Sequence, residues 1–121
     1  MVKALFDTNI LIDYLNGVEL AQDELKRYSQ KAISIITAME VLIGARPDVE
    51  AGTRAFLAGF QIIPLDDVVA ERAVAIRKSE RIKLPDAIIW ASADVHSMLI
   101  VTRNSKDFPA NMPGVRIPYL L

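Results

Sequence analysis

Residues 2–15, VKALFDTNILIDYL, run apolar through Val2, Ala4, Leu5 and Phe6, meet a carboxylate at Asp7, and turn apolar again from Ile10 to Leu15. The first half reads as a buried strand and the second as a helix. A strand that is apolar on both faces belongs inside a parallel sheet. A carboxylate at its end is costly to bury unless something pairs with it. In open α/β sheets, ligands bind in the crevice beyond the carboxyl ends of the strands. Asp7 is therefore either a helix cap or one member of a site, and other carboxylates at equivalent strand ends would favour the site.

The rest of the chain repeats the alternation. Asn16-Gly17 ends a helix over 8–16. Leu20, Leu25 and Tyr28 share one face of a second helix over 19–29, followed by a β-branched strand over 32–36. Thr37 to Glu40 opens a helix carrying Val41, Leu42 and Ile43, and another is expected over 48–60 with Phe56, Leu57 and Phe60 inward. A strand over 61–64 ends in Pro64, which suits a sheet margin. Asp66 caps an amphipathic helix that ends near Arg81. Leu84-Pro85-Asp86 precedes an apolar helix over 87–96, then a strand over 98–102 and a short fifth strand over 115–117. Strands alternating with helices predict an α/β fold, a parallel sheet of four to five strands with helices on both faces. At 121 residues it is expected as a single domain over 1–121, large enough for its own core.

Composition narrows the function. Apolar residues make up 52% and mean hydropathy is +0.27, yet no run reaches the roughly 20 residues of a membrane span. The opening residues lack a secretion signal's basic region and cleavage site, so Val2 to Phe6 is expected as structure. The absence of cysteine excludes disulfides and thiolate metal sites and suits a reducing cytoplasm. A net charge of −1 gives no whole-protein field for nucleic acid, which must then be met by local basic groups or metal ions.

Four further polar positions fall where Asp7 falls. Glu40 follows the second strand, Asp86 opens the helix leading to the fourth, and Asn104 and Asp107 lie just past the fourth. Each has an ordinary reading: Thr37-x-x-Glu40 matches a capping box, and Asp86 at a helix start is favoured by the macrodipole. Asp66 and Asp67 read as plain caps, Asp13 and Asp94 as solvated helix positions, Trp90 as core, and His96 as a helix-end residue without a catalytic role. Asp94 lies about 12 Å along the helix from Asp86 at 1.5 Å per residue, too far to share an ion. Three carboxylates at one mouth would raise one another's pKa, and a divalent cation removes that penalty. Oxygen ligands alone favour Mg²⁺ or Mn²⁺ over Zn²⁺. Such a site can lower the pKa of a bound water and stabilise charge on a phosphodiester.

The stretches FDTNILID at 6–13, SIITAMEVLIGA at 34–45, LPDAIIWASA at 84–93 and LIVTRNSKDF at 99–108 resemble the PIN-domain family of metal-dependent ribonucleases. Within it they are most similar to the small toxins of VapBC-type toxin–antitoxin pairs. The resemblance implies a three-layer α/β/α sandwich, with Asp7, Glu40 and Asp86 as metal-site residues and Asn9 and Thr102 as their supports. The family's fourth acidic position falls on Asn104, which adds no charge; Asp107 is the alternative. The implied reaction is Mg²⁺-dependent hydrolysis of transfer or ribosomal RNA, leaving 5′-phosphate and 3′-hydroxyl ends. Arg46, Lys83, Arg103 and Lys106 flank the motifs as candidates for holding the RNA backbone. The implied partners are a VapB-type antitoxin, through which a complex would bind operator DNA, and a second copy in a homodimer.

Two other classes compete, one sharing the opening strand that ends in Asp and one sharing a doubly wound fold with an acidic pocket. A haloacid-dehalogenase-like phosphotransferase needs a second Asp two residues on, where this chain has Asn9. A non-enzymatic receiver-like domain needs an acceptor Asp at the end of a middle strand, and Asp66 suits a cap better.

Overall fold

The computed structural model describes residues 2–121. The elements run β1 (Lys3–Phe6), α1 (Thr8–Leu15), α2 (Glu19–Lys26), β2 (Gln30–Ser34), α3 (Ile35–Gly44), α4 (Glu50–Leu57), β3 (Gln61–Ile63), α5 (Asp67–Glu80), α6 (Leu84–Val95), β4 (Leu99–Val101) and β5 (Val115–Arg116). All strand pairings are parallel, in the order β3-β2-β1-β4-β5.

Alternation along the strands divides the core in two. Leu5, Ala32 and Ile100 face α5 and α6, joining Val69, Ala73, Ile76, Ile89 and Phe108. Ala4, Phe6, Ile33 and Val101 face the opposite way, against Ile10, Leu11, Ala21, Leu25, Val41 and Leu57 of α1 to α4. Helices thus cover both faces of the sheet, which explains why the strands read as continuous apolar runs. Trp90 lies in the core beside Phe108, with ring centroids 5.4 Å apart.

The strand order fixes where a site can form. The chain leaves β1 outward through β2 and β3, then returns to β1's other side for β4 and β5. The order reverses between β1 and β4, and at such a switch point the strand ends splay to leave a crevice. Asp7 follows β1 and Thr102 follows β4, so both stand at its mouth. The Asp7 amide continues the ladder by bonding the Val101 carbonyl at 2.9 Å.

Several boundaries differ from expectation. Ile35 and Ile36 belong to α3, not to β2, because Ser34 caps the helix by accepting from the Ile36 amide at 3.2 Å. A serine at the N-cap outweighs the strand preference of two β-branched residues. Thr37 is consequently buried inside the helix, and the Thr37-x-x-Glu40 capping box does not form. α2 ends at Lys26 and α4 is confined to Glu50–Leu57. α6 begins at Leu84, with Pro85 in its first turn, where a missing amide proton costs nothing. Asp66 does cap α5, its Oδ1 accepting from the Val69 amide at 2.9 Å.

Candidate active site

Asp7 is 3% exposed, and its carboxylate is held from three sides. Oδ1 accepts from the Thr8 amide at 2.7 Å; Oδ2 accepts from the Thr102 hydroxyl at 2.7 Å and the Asn9 side-chain amide at 3.1 Å. A carboxylate offers about four lone-pair sites. Three are taken, which leaves one on Oδ1. Burial pushes the Asp7 pKa up, with Glu40 adding repulsion, while the bonds from Thr102, Thr8 and Asn9 pull it down; the net shift is upward.

Asp86 stands in the first turn of α6, half-buried. Burial, the charge of Asp7, the Asp107 carboxyl and Glu40 together raise its pKa to about 6. Glu40 sits in the second turn of α3 and is exposed. Its Oε1 lies 2.7 Å from the Thr8 hydroxyl, which is itself 3.0 Å from that of Thr37. The residue after Asp7 therefore reaches across to α3 and holds Glu40 beside the same mouth.

The loop after β4 supplies the rest. Thr102, fully buried, accepts from the Asn104 amide at 3.0 Å, which directs its own proton to Asp7. Asn104 and Asp107 bond each other twice: Asn104 Nδ2 to Asp107 Oδ2 at 3.1 Å, and the Asp107 amide to Asn104 Oδ1 at 3.2 Å. Of the two, Asp107 is the one that contributes to the raised pKa of Asp86. Asp7, Glu40, Asp86 and Asp107 thus act on one another electrostatically. Among the described residues, however, no three His, Cys, Asp or Glu side chains stand at metal-ligand spacing. Coulombic reach is longer than ligand spacing, so the two statements agree.

The donor chemistry fits a hard divalent cation. It consists of oxygens alone, carboxylates that raise each other's pKa, and one unused Asp7 lone pair. His96, the chain's one histidine, caps the other end of α6 and is exposed.

Two expectations need correction. Asp13 is not solvated: it is 5% exposed, and Arg103 forks onto it with Nε to Oδ2 at 2.7 Å and Nη2 to Oδ1 at 3.0 Å. Arg103 therefore points at α1, its guanidinium already engaged, and is a poor candidate for an RNA phosphate. Arg46 pairs with Asp48 at 3.6 Å on the exposed surface, and Lys83 and Lys106 are exposed. Sequence reasoning missed Thr8, Asp13 and Tyr119, whose hydroxyl donates to Asp13 Oδ2 at 2.8 Å. The visible signal for Asp13 was its place four residues after Asn9, on the same helical face.

The competing classes lose their footing here. Asn9 is an amide donor to Asp7, not a second carboxyl acid. β3 is an edge strand and Asp66 is occupied as a cap.

The sequence matches the PIN domain family over residues 4–111. The chain belongs to the PIN-domain family. As a PIN domain it is similar to Ribonuclease VapC10 of Mycobacterium tuberculosis, 34% identical over 113 residues that cover 87% of this chain and 85% of that protein. A toxin–antitoxin complex from Klebsiella pneumoniae contains a chain 49% identical, with a TM-score of 0.94 over 98% of this PIN domain and all of that chain. A DNA-bound VapBC from Salmonella typhimurium gives 26% identity and a TM-score of 0.78, covering 97% of each chain. The family and this similarity make the chain a VapC-type PIN domain and a nuclease-class hydrolase. No helix among the described residues is long and apolar enough to cross a membrane.

Proposed function

We propose that this PIN domain is an endoribonuclease toxin that uses Mg²⁺, or Mn²⁺, to hydrolyse RNA phosphodiesters and is restrained by a VapB-type antitoxin. The observation that carries the reading is Asp7: a buried carboxylate at the sheet's switch point, pushed up in pKa, with Asp86 raised beside it. Carboxylates so placed gain from a cation.

Asp7 and Asp86 would hold the metal, with Glu40 and Asp107 at its margin, and the metal when bound would lower the pKa of a water and offset phosphate charge. The chain's own residues do the positioning. Thr102 and Asn9 fix the rotamer of Asp7, and Thr8 fixes Glu40. Arg46, Lys83 and Lys106 are the remaining candidates for contacting the RNA backbone. The substrate class we propose is transfer or ribosomal RNA; likeness to a protein named a ribonuclease supports RNA as such.

The antitoxin reading rests on a second observation. α1, α3 and α4 enclose an open groove of ≈ 790 Å³ lined by Ile12, Leu15, Val41, Val49 and Thr53 among others. Ile12, Leu15 and Val49 are 42%, 43% and 43% exposed, an apolar strip that suits the apolar face of an inserted helix. An Arg or Lys following that helix would pair with Asp7, Glu40 or Asp86 in place of the metal. Similarity to chains in toxin–antitoxin complexes, one of them bound to DNA, supports such a partner and its contact with operator DNA. A homodimer would place two such sites in one complex.

The test is to incubate the wild type, Asp7→Asn and Asp86→Asn with total RNA and Mg²⁺ and to map new 5′ ends. Both variants should fold and lose most cleavage, and wild-type cutting by both would end the assignment. A co-purified complex with the neighbouring gene's product should cut slowly until its tail is removed by proteolysis.

A further inference from the structure

Asn9 and Asp13, one turn apart on the same face of α1, grip a single residue of the loop after β4. The Arg103 backbone amide donates to Asn9 Oδ1 at 3.1 Å, and the Arg103 guanidinium forks onto Asp13. Tyr119, near the end of the chain, donates a third bond to Asp13, so the carboxylate cannot turn away from the fork.

Arg103 lies between Thr102 and Asn104, and its backbone sets both supports of Asp7. Through Asn9 it turns the amide that meets Asp7 Oδ2. Through the chain on either side it places the Thr102 hydroxyl and the Asn104 amide that directs that hydroxyl's proton.

Stability alone does not account for the arrangement. Replacing a buried ion pair by packed apolar residues is often neutral or stabilising. Apolar residues would hold α1 to the loop as well as the ion pair does. They would not fix the rotation of the residue-103 peptide, which a two-point polar grip does.

We propose that Asp13 is a positioning residue for the Asp7 centre, acting through its grip on Arg103 with Tyr119 as its brace. The inference rests on the metal-site reading above. The structure also contains its control. Arg72 of α5 pairs with Asp94 of α6 at 2.6 Å, an arginine–carboxylate link between two helices that makes no bond to Asn9, Thr102 or Asp7.

The experiment compares Arg103→Lys, Asp13→Asn, Tyr119→Phe and Arg72→Lys with the wild type and with Asp7→Asn. The readouts are melting temperature, Mn²⁺ binding by calorimetry, kcat and KM on RNA, and hydrogen exchange of the residue-103 amide in metal-free protein. Arg103→Lys and Asp13→Asn should weaken Mn²⁺ binding or lower kcat about 10–100-fold, the usual effect of losing an outer support at a metal site. KM should hold and the residue-103 amide should lose protection. Tyr119→Phe should move the same readouts less, and it remains informative if the charge variants fold poorly. Arg72→Lys should keep kcat, Mn²⁺ affinity and the amide's protection. Adding Arg103→Lys to Asn9→Ala should cost less further kcat than Arg103→Lys costs alone, because one of its two routes to Asp7 is already cut. If Arg103→Lys, Asp13→Asn and Tyr119→Phe keep kcat, Mn²⁺ affinity and the amide's protection as Arg72→Lys does, with Asp7→Asn inactive, the grip is only a brace and the proposal is overturned. An active Asp7→Asn would overturn the metal-site reading itself and the inference with it.

Discussion

Thr102 donates its hydroxyl proton to Asp7 across 2.7 Å, and this bond ties the end of β4 to the end of β1. Both groups are buried, so the bond between them is little exposed to competition from bulk water. The same hydroxyl oxygen accepts from the Asn104 amide. One side chain therefore satisfies the loop's backbone and steadies the carboxylate at once.

Replacing Thr102 by Val keeps the shape and removes both bonds. Leaving buried polar groups unpaired should cost about 1–3 kcal/mol of stability, read by chemical denaturation. The Thr102 bond lowers the Asp7 pKa against the upward push of burial. Its loss should therefore raise that pKa further and move the acid limb of the pH–activity profile to higher pH. Thr102→Ser restores the hydroxyl and should bring the limb back. An unmoved limb in Thr102→Val would mean that Asp7 does not govern it.

The strands and the polar residues at their ends were legible because both follow from one fact. A parallel sheet buried on both faces requires apolar runs, and a carboxylate directly after such a run stands out. Asp7 was found on that ground, and Asp86 as a carboxylate opening the helix that leads to the fourth strand. The start of α3 was misread because Ile35 and Ile36 have the local chemistry of a strand, while the deciding residue, Ser34, is one serine among several. Asp13 was misread for a different reason. A charged residue on a helix is ordinarily solvated, and its partners Arg103 and Tyr119 lie 90 and 106 residues away. Pairings over that distance are set by how the β4 loop and the C-terminal segment return to α1, which no local pattern encodes.

Sequence alone left the fourth acidic position open between Asn104 and Asp107. Asp107 is the one of the two that raises the Asp86 pKa, and Asn104 holds Asp107 by two bonds. Asp107→Asn should accordingly reduce cleavage strongly at fixed Mg²⁺. Asn104→Ala should cost less and be partly compensated by more metal, since it loosens a carboxylate without removing it. Metal titrations of activity on the two variants separate these outcomes. A near-silent Asp107→Asn with a severe Asn104→Ala would reverse the assignment.

Asp86 makes the site sensitive to pH in two opposed ways. Its folded pKa is raised from the ordinary 3.8 to about 6, first by burial and then by Asp7, Asp107 and Glu40. A carboxyl raised on folding contributes most to stability below its unfolded value, and that contribution is lost as pH rises through its folded value. Metal-free wild type should thus lose stability relative to Asp86→Asn between the ordinary 3.8 and about 6. Glu24 works in the opposite direction. Burial tends to raise its pKa, but the bonds from Arg116 and Tyr28 and the charges of Arg116 and Arg27 outweigh it, and the net shift is down from 4.5. Its stabilisation is lost only as pH falls through that lowered value, so the two groups act in largely separate ranges. A bound cation requires Asp86 ionised, so metal stabilisation and cleavage should both weaken as pH falls through about 6. Metal at 100 times its Kd stabilises by about 2.7 kcal/mol, a shift of several degrees for a domain of this size. Melting curves with EDTA and with millimolar Mg²⁺, taken from pH 4 to pH 8 on wild type and Asp86→Asn, should show the gap between them opening above about pH 6 for the wild type alone. An equal gap in Asp86→Asn would remove Asp86 from the metal site, and a gap that is constant with pH would remove its titration from the account.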